Sequence, residues 1–297
     1  MIKAVALYSG GLDSILAIKI VEGLGIDVYP VSFYHPFFGE IDRRNFEDLK
    51  KEPEIIDISE DFFKILKSPK FGYGKNLNPC MDCRILYFKK AKEYMEKIGA
   101  KFLISGEIVG QRPFSQRREA INTIEKEAGV SGLVLRPLTQ KNMLETIAER
   151  EGWVEGEKLL GVSGRNRQIQ LELAKKFSLS YVPTPAGGCL LTVPDFAKRT
   201  KELLVRELIN KTNVEILRYG RFFTLNDRAV LIVGRNQKEN EKLENLFNKE
   251  LNHTFIETLS PPGPSAIIIG KGEVEKVLSI LKKYIKIKEK EPEFLIK

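Results

Sequence analysis

The stretch Ala4-Val5-Ala6-Leu7-Tyr8-Ser9-Gly10-Gly11-Leu12-Asp13-Ser14 decides how the rest of the chain is read. An apolar run ends in Ser-Gly-Gly, and Ile15, Leu16, Ile18, Ile20 and Val21 then recur at mixed helical spacing, which predicts a strand, a tight turn and a helix start. Gly10 and Gly11 let backbone N–H groups crowd around an anion, and the helix adds its unpaired N-terminal donors and the positive end of its dipole. The hydroxyls of Ser9 and Ser14 supply two further donors. Such a turn suits phosphate, although a Gly-Gly turn also serves purely structural ends. The G-x-x-x-x-G-K-[ST] phosphate loop is excluded, because no lysine follows the glycines.

A chain of 297 residues is too long for one small domain and is expected to form two or three, each burying a core. With 42% hydrophobic and 30% charged residues it has a globular composition, and no window approaches 18 uninterrupted apolar residues. No membrane partner and a cytoplasmic location are therefore expected. The net charge of +8 permits a polyanionic partner, while the abundance of both Lys and Glu equally describes a solvated surface. Three cysteines, two of them in Cys80-Met81-Asp82-Cys83, are too few for a disulfide framework and point to metal or redox chemistry. His35 and His253 leave little room for a histidine-based site, and His35 reads as structural.

Strands are expected at Asp27–Tyr34, Glu54–Ile58, Lys101–Ile104 and Leu133–Leu138, with helices at Asp61–Lys67, about Arg84–Ile98, Asn142–Glu151 and Arg167–Phe177. Strands and helices alternate through about residue 152, as an α/β doubly wound parallel sheet requires. In such sheets ligands sit at the carboxyl ends of strands, which brings Ser32 and Phe33 near the glycine turn; Phe33 reads equally well as core. The Ser105-Gly106-Glu107-Ile108-Val109-Gly110-Gln111 strand end is a second nucleotide wall. A linker is expected over 183–212, carrying Cys189 in the loop Pro183–Cys189 and a basic helix from Asp195 to Ile209. A smaller α+β domain then follows over 213–297. Its expected strands are Glu215–Thr224, Arg228–Gly234, His253–Leu259 and Ser265–Ile269, with helices Gln237–Leu251 and Glu273–Ile285 and a frayed tail from Lys286.

Cys80 and Cys83 have the spacing of a metal, iron-sulfur or redox pair. Adding Cys189 gives three thiolates, one short of a structural zinc site, and leaves one coordination position open. A three-cysteine 4Fe-4S cluster holding a sulfur on its free iron is one reading, and a persulfide on Cys189 resolved by one member of the pair is another. A structural zinc completed by Asp82 or water is the third. Asp13 suits Mg2+ between phosphates, since a hard cation prefers carboxylate and water oxygens.

Ser-Gly-Gly-Leu-Asp-Ser resembles the signature of the PP-loop ATP pyrophosphatases. Together with Asn78-Pro79-Cys80-Met81-Asp82-Cys83, Ser105–Gln111, Leu135-Arg136-Pro137-Leu138 and Gly188-Cys189, it resembles the PP-loop tRNA thiouridine synthases over about two thirds of the chain. The Gly-Glu-x-x-Gly-Gln and Leu-Arg-Pro-Leu segments are most similar to 4-thiouridine synthetases, and Asn-Pro-Cys-x-x-Cys to 2-thiouridylases. The N-terminal RNA-binding region usual in the former and a rhodanese-like extension are not expected. The resemblance implies an adenine nucleotide alpha-hydrolase-like fold and ATP held by Tyr8, Ser9, Gly10, Gly11, Asp13, Ser14, Ser32, Phe33, Gly106 and Gln111. Arg84 and Gln116 are further candidate contacts. It also implies tRNA and a sulfide or persulfide carrier as partners, with Asp13, Cys80, Cys83 and Cys189 as catalytic residues; a homodimer is allowed. Val233–Asn240 and Pro261–Ser265 resemble the small RNA-binding domain of NFACT-type proteins, which implies phosphate contacts by Arg218, Arg221, Arg228 and Arg235. An amide-forming PP-loop ligase and a non-catalytic RNA-binding protein are the competing readings.

Overall fold

The computed structural model describes residues 1–38, 43–112, 114–184, 188–286 and 290–297. Residues 185–187 of the expected Pro183–Cys189 loop and residues 287–289 of the expected frayed tail lie outside the described residues. The chain divides into two compact units, residues 1–74 with 79–188 and residues 75–78 with 189–297.

In the first unit the elements run β1 (Lys3–Leu7), α1 (Leu12–Glu22), β2 (Asp27–Tyr34), β3 (Glu54–Asp57), α2 (Ser59–Lys67), α3 (Cys80–Lys97), β4 (Phe102–Ser105), α4 (Arg118–Ala128), β5 (Val134–Leu135), α5 (Ile147–Arg150) and α6 (Gln168–Lys176). The five strands are parallel in the order β3-β2-β1-β4-β5, so chain direction across the sheet reverses between β1 and β4. This is the expected doubly wound sheet. Side chains of β1 and the residue after it alternate between two cores: Ala4, Ala6 and then Tyr8 pack with Ile15 and Ile18 of α1, while Val5 and Leu7 pack with Ile85 and Phe88 of α3. Leu7 lies opposite Ser105 in the β1–β4 register, which sets the Ser9-Gly10-Gly11 turn beside Ser105-Gly106 at the switch point.

Several boundaries differ from expectation. The helix read from about Arg84 begins at Cys80, so the cysteine pair lies in its first turn; Pro79 stands at the N-cap position without a capping hydrogen bond, and Asp82 supplies the acidic residue of that turn. The strand over 133–138 is ordered as a strand at Val134–Leu135 alone. The helix expected over 142–151 is cut to α5, because Thr146 and Glu149 form a capping box that starts it late. The sequence reading passed over α4, whose Ile121, Ile124 and Ala128 are buried at helical spacing and whose end is set by Gly129 at φ 66°.

The second unit holds α7 (Pro194–Val205), α8 (Lys211–Ile216), β6 (Arg221–Asn226), β7 (Ala229–Val233), α9 (Gln237–Leu246), β8 (His253–Ser260), β9 (Ala266–Gly270), α10 (Val274–Lys282) and β10 (Glu293–Ile296). Its strands form an antiparallel sheet in the order β10-β8-β9-β7-β6. The run read as a strand from Glu215 starts as helix α8, because the Asn210 side chain caps it by accepting from the Asn213 N–H at 2.8 Å. The basic helix ends at Val205 and the helix from Gln237 at Leu246, both short of expectation. The tail is not frayed throughout: β10 pairs with β8.

Candidate functional site

The site forms where the β1 turn meets the end of β4. Gly10 adopts φ 74°, a left-handed conformation open to glycine, and Gly11 caps α1 without any side-chain hydrogen bond. The hydroxyls hold the turn shut: Ser14 Oγ donates to the Gly11 carbonyl at 2.7 Å and accepts from the Ser9 N–H at 3.3 Å. Gly106 comes so close that a Cβ there would stand 2.6 Å from the backbone of both Asp13 and Ser14. The end of β4 therefore lies directly on the first turn of α1.

Of the ten residues assigned to the nucleotide from sequence, all but Gly10 line one cleft in this unit. Gln111 Nε2 donates to Asp13 Oδ2 at 2.9 Å, and Asp13 Oδ1 is buried with no hydrogen-bond partner among the described residues. That orphaned carboxylate oxygen is a donor of the kind a magnesium ion takes. Phe33 stacks on Tyr87, ring centroids 5.3 Å apart, so Phe33 serves the core and the cleft together. Tyr87, Glu107 and Arg112 also line the cleft, beside Arg84 and Gln116. Tyr87 was absent from the sequence-based set; with α3 begun at Cys80, the spacing 80, 83, 84, 87 marks one helix face and would have found it.

Beneath the cleft runs a row of alternating charges. Glu107 Oε2 accepts from Arg136 Nε at 3.1 Å and Nη2 at 3.0 Å, its Oε1 faces Arg84 Nη2 at 3.0 Å, and Arg136 Nη1 pairs with Glu125. Burial pushes the Glu107 carboxyl up, but Arg84 and Arg136 outweigh it and hold the group below its ordinary range. Burial likewise opposes the Arg84 charge, and Glu107 restores it, leaving Arg84 raised.

Cys80 and Cys83 lie on α3 of the first unit, Cys189 belongs to the second, and none of the three lines the cleft. Burial pushes the Cys83 thiol up to about 12, with Arg84 and Tyr87 pulling the other way. Asp82, the alternative fourth zinc ligand, accepts from the N–H groups of Lys70 and Phe71 at 2.9 and 3.1 Å. Among the described residues no group of three His, Cys, Asp or Glu side chains could hold a metal ion. His35 is structural as read: it stacks on Phe62 at 3.9 Å, and its Nε2 lies 2.9 Å from the Tyr87 hydroxyl.

In the second unit the four arginines expected on phosphate divide. Arg218 pairs with Glu215 at 2.9 Å, Arg235 with Glu239, and Arg221 lies 4.7 Å over the Tyr284 ring. Arg228 is exposed, in a hollow that also holds Lys249, Lys271 and Lys297 with Asp227 and Glu273.

Residues 220–295 match the model of the NFACT protein RNA binding domain, as the C-terminal motifs led one to expect. The resemblance to thiouridine synthases is borne out as well: a probable tRNA sulfurtransferase of Thermococcus kodakarensis is 29% identical over 168 residues, 52% of this chain and 42% of the relative. The chain thus spans less than half the length of that curated relative. Among solved structures it is similar to a 4-thiouridine synthetase–RNA complex with bound ATP, at 20% identity over 59% of this chain and 50% of that one, with a TM-score of 0.37. A predicted subunit of tRNA methyltransferase from Methanocaldococcus jannaschii matches at 13% identity over 46% and 69%, with a TM-score of 0.34.

Proposed function

We propose that the chain thiolates a uridine of tRNA at the expense of ATP, releasing pyrophosphate and AMP. The observation that carries this reading is the convergence of the Ser9–Gly11 turn, Asp13, Gly106 and Gln111 on one cleft at the switch point of the parallel sheet. The similarity to a tRNA sulfurtransferase and the RNA-binding match at 220–295 support it. The domains on this reading are an ATP-binding domain over 1–182, a linker over 183–212 and an RNA-binding domain over 213–297.

A uracil carbonyl oxygen attacks the α-phosphorus of ATP; the bond to the β-phosphate oxygen breaks, and pyrophosphate leaves with that electron pair. Backbone donors of the glycine turn stabilise the charge that develops, and Asp13, through its orphaned oxygen, would hold Mg2+. Sulfur then adds to the activated carbon, and the C–O bond breaks with AMP as leaving group. Free sulfide completes this without redox change. With a persulfide, the terminal sulfur forms the C–S bond, and a second thiol attacks the inner sulfur, leaving a protein disulfide that a dithiol reductant must reopen. Cys80, Cys83 and Cys189 are the thiols assigned to this work, and no step is routed through a 4Fe-4S cluster.

The test is incubation with ATP, Mg2+, sulfide and unmodified tRNA, scoring pyrophosphate release and thiolated uridine together. Both products are expected; with a persulfide carrier in place of sulfide, replacing the three cysteines by alanine should abolish thiouridine while sparing ATP binding, whereas free sulfide should still support it. Undiminished thiouridine in that variant when fed by the persulfide carrier would remove these thiols from the reaction. RNA binding without ATP turnover would favour a non-catalytic protein. Iron and labile-sulfide analysis of anaerobically purified protein decides whether a cluster is present.

A further inference from the structure

The sequence motifs assign no purpose to Glu107 and Arg136, yet these are among the most deeply buried charged groups of the first unit, 3% and 1% exposed. A buried ion pair is costly to assemble, and replacing it with apolar residues is often neutral or stabilising, so its presence invites a reason other than stability. The geometry supplies one. Glu107 uses its two carboxylate oxygens on opposite partners, Oε2 toward Arg136 and Oε1 toward Arg84. Arg136 in turn is anchored by Glu125. The row Glu125–Arg136–Glu107–Arg84 sums to no net charge, and of its two cationic members Arg84 is the one that, with Glu107, opens on the cleft. Arg84 keeps 24% of its side-chain surface exposed there. Its salt bridge engages Nη2, and a planar guanidinium has further donors to offer a phosphate in forked geometry.

We propose that Arg84 is an anion-binding residue of the cleft, contacting the phosphates of the nucleotide, and that Glu107, itself held by Arg136, is the positioning residue that fixes its guanidinium. This deepens the ATP-dependent reading above and rests on it for the identity of the ligand as a nucleoside triphosphate. It explains why the carboxylate sits beside an anion site: paired on both sides, Glu107 holds its neighbour in place without repelling the ligand outright. Arg84 lies on α3, anchored through Ile85 and Phe88 in the core, so its backbone is rigid and the ion pair has only the side chain to order.

Equilibrium binding of ATP and of adenosine to the full chain and its variants tests this. Arg84→Met is expected to weaken ATP roughly tenfold or more, the size of one lost charge-assisted hydrogen bond, and to leave adenosine within twofold. Millimolar guanidinium should restore part of the ATP affinity of Arg84→Met, a rescue that a merely structural role would not show. Glu107→Gln should weaken ATP less, and its effect should vanish in the Arg84→Met background, because it acts through that residue. Arg84→Lys, which keeps the charge and the fold but not the fork, should fall between parent and Arg84→Met. ATP affinity unchanged in Arg84→Met, an equal loss for adenosine, or additive effects of the two substitutions would overturn the proposal. A parent chain that binds no ATP overturns it together with the thiolation reading. A chain that shows this Arg84 dependence yet yields no thiouridine overturns the thiolation reading alone.

Discussion

At position 106 a single hydrogen atom decides whether the cleft can form. A Cβ there would stand 2.6 Å from backbone atoms of Asp13 and Ser14, which cannot swing aside as a flexible side chain would. Gly106→Ala is expected to cost ~1–3 kcal/mol by overpacking and to push the glycine turn away from β4. A thermal melt should show the loss, and ATP binding should fall further than stability alone explains. Wild-type stability in that variant would mean the two backbones approach less closely than described. Cys83 makes a second prediction at this scale. With its thiol pushed up to about 12, it should resist iodoacetamide at pH 7.5 in the native chain and react on unfolding; rapid native labelling at Cys83 would contradict the placement.

Among the elements, α5 shows how capping overrides a longer apolar pattern. The Thr146 N–H and hydroxyl both donate to Glu149 Oε2 at 2.8 Å, and Gln140 Nε2 reaches the same oxygen at 2.9 Å. One carboxylate therefore ties the helix start to the segment after β5. Thr146→Ala should lower stability by about 1 kcal/mol, read in chemical denaturation of the chain, with Glu149→Gln costing part of the same energy rather than adding to it. Capping also explains α8, where the Asn210 side chain starts a helix in a run that the sequence pattern read as running into a strand from Glu215. Periodicity reports which face is buried; the polar residue before it reports where the backbone turns helical.

For the whole molecule the two histidines set a pH dependence. Burial pushes His35 down to about 3, against a small opposing pull from Asp57, and pushes His253 down to about 4. The unfolded chain binds protons on both near pH 6.5 while the folded chain does not, so stability is full above that pH and falls as pH drops through the window from about 6.5 toward 4 and 3. Each histidine contributes up to about 1.4 kcal/mol per pH unit inside its window. Denaturation midpoints at pH 7.5 and 5 should differ accordingly, and His35→Gln should flatten part of the slope. An unchanged slope would place His35 in contact with water.

Local pattern alone predicted the parallel α/β class and the glycine turn, and with the family resemblance it named most of the residues that line the cleft, because Ser9–Ser14 follows a strand and Ser32–Phe33 and Ser105–Gln111 stand at the carboxyl ends of two others, whose period is short-range. It also separated the second, antiparallel region from the first, and its motifs led to the RNA-binding match at 220–295. What only the tertiary structure decided is pairing across distance. The contact of Gly106 with Asp13, the Glu107–Arg136 pair and the return of β10 to β8 join residues whose partnership no local period encodes. Side-chain chemistry names what a residue can bind, whereas burial and the arrangement of neighbours decide which of those bonds the fold has already used.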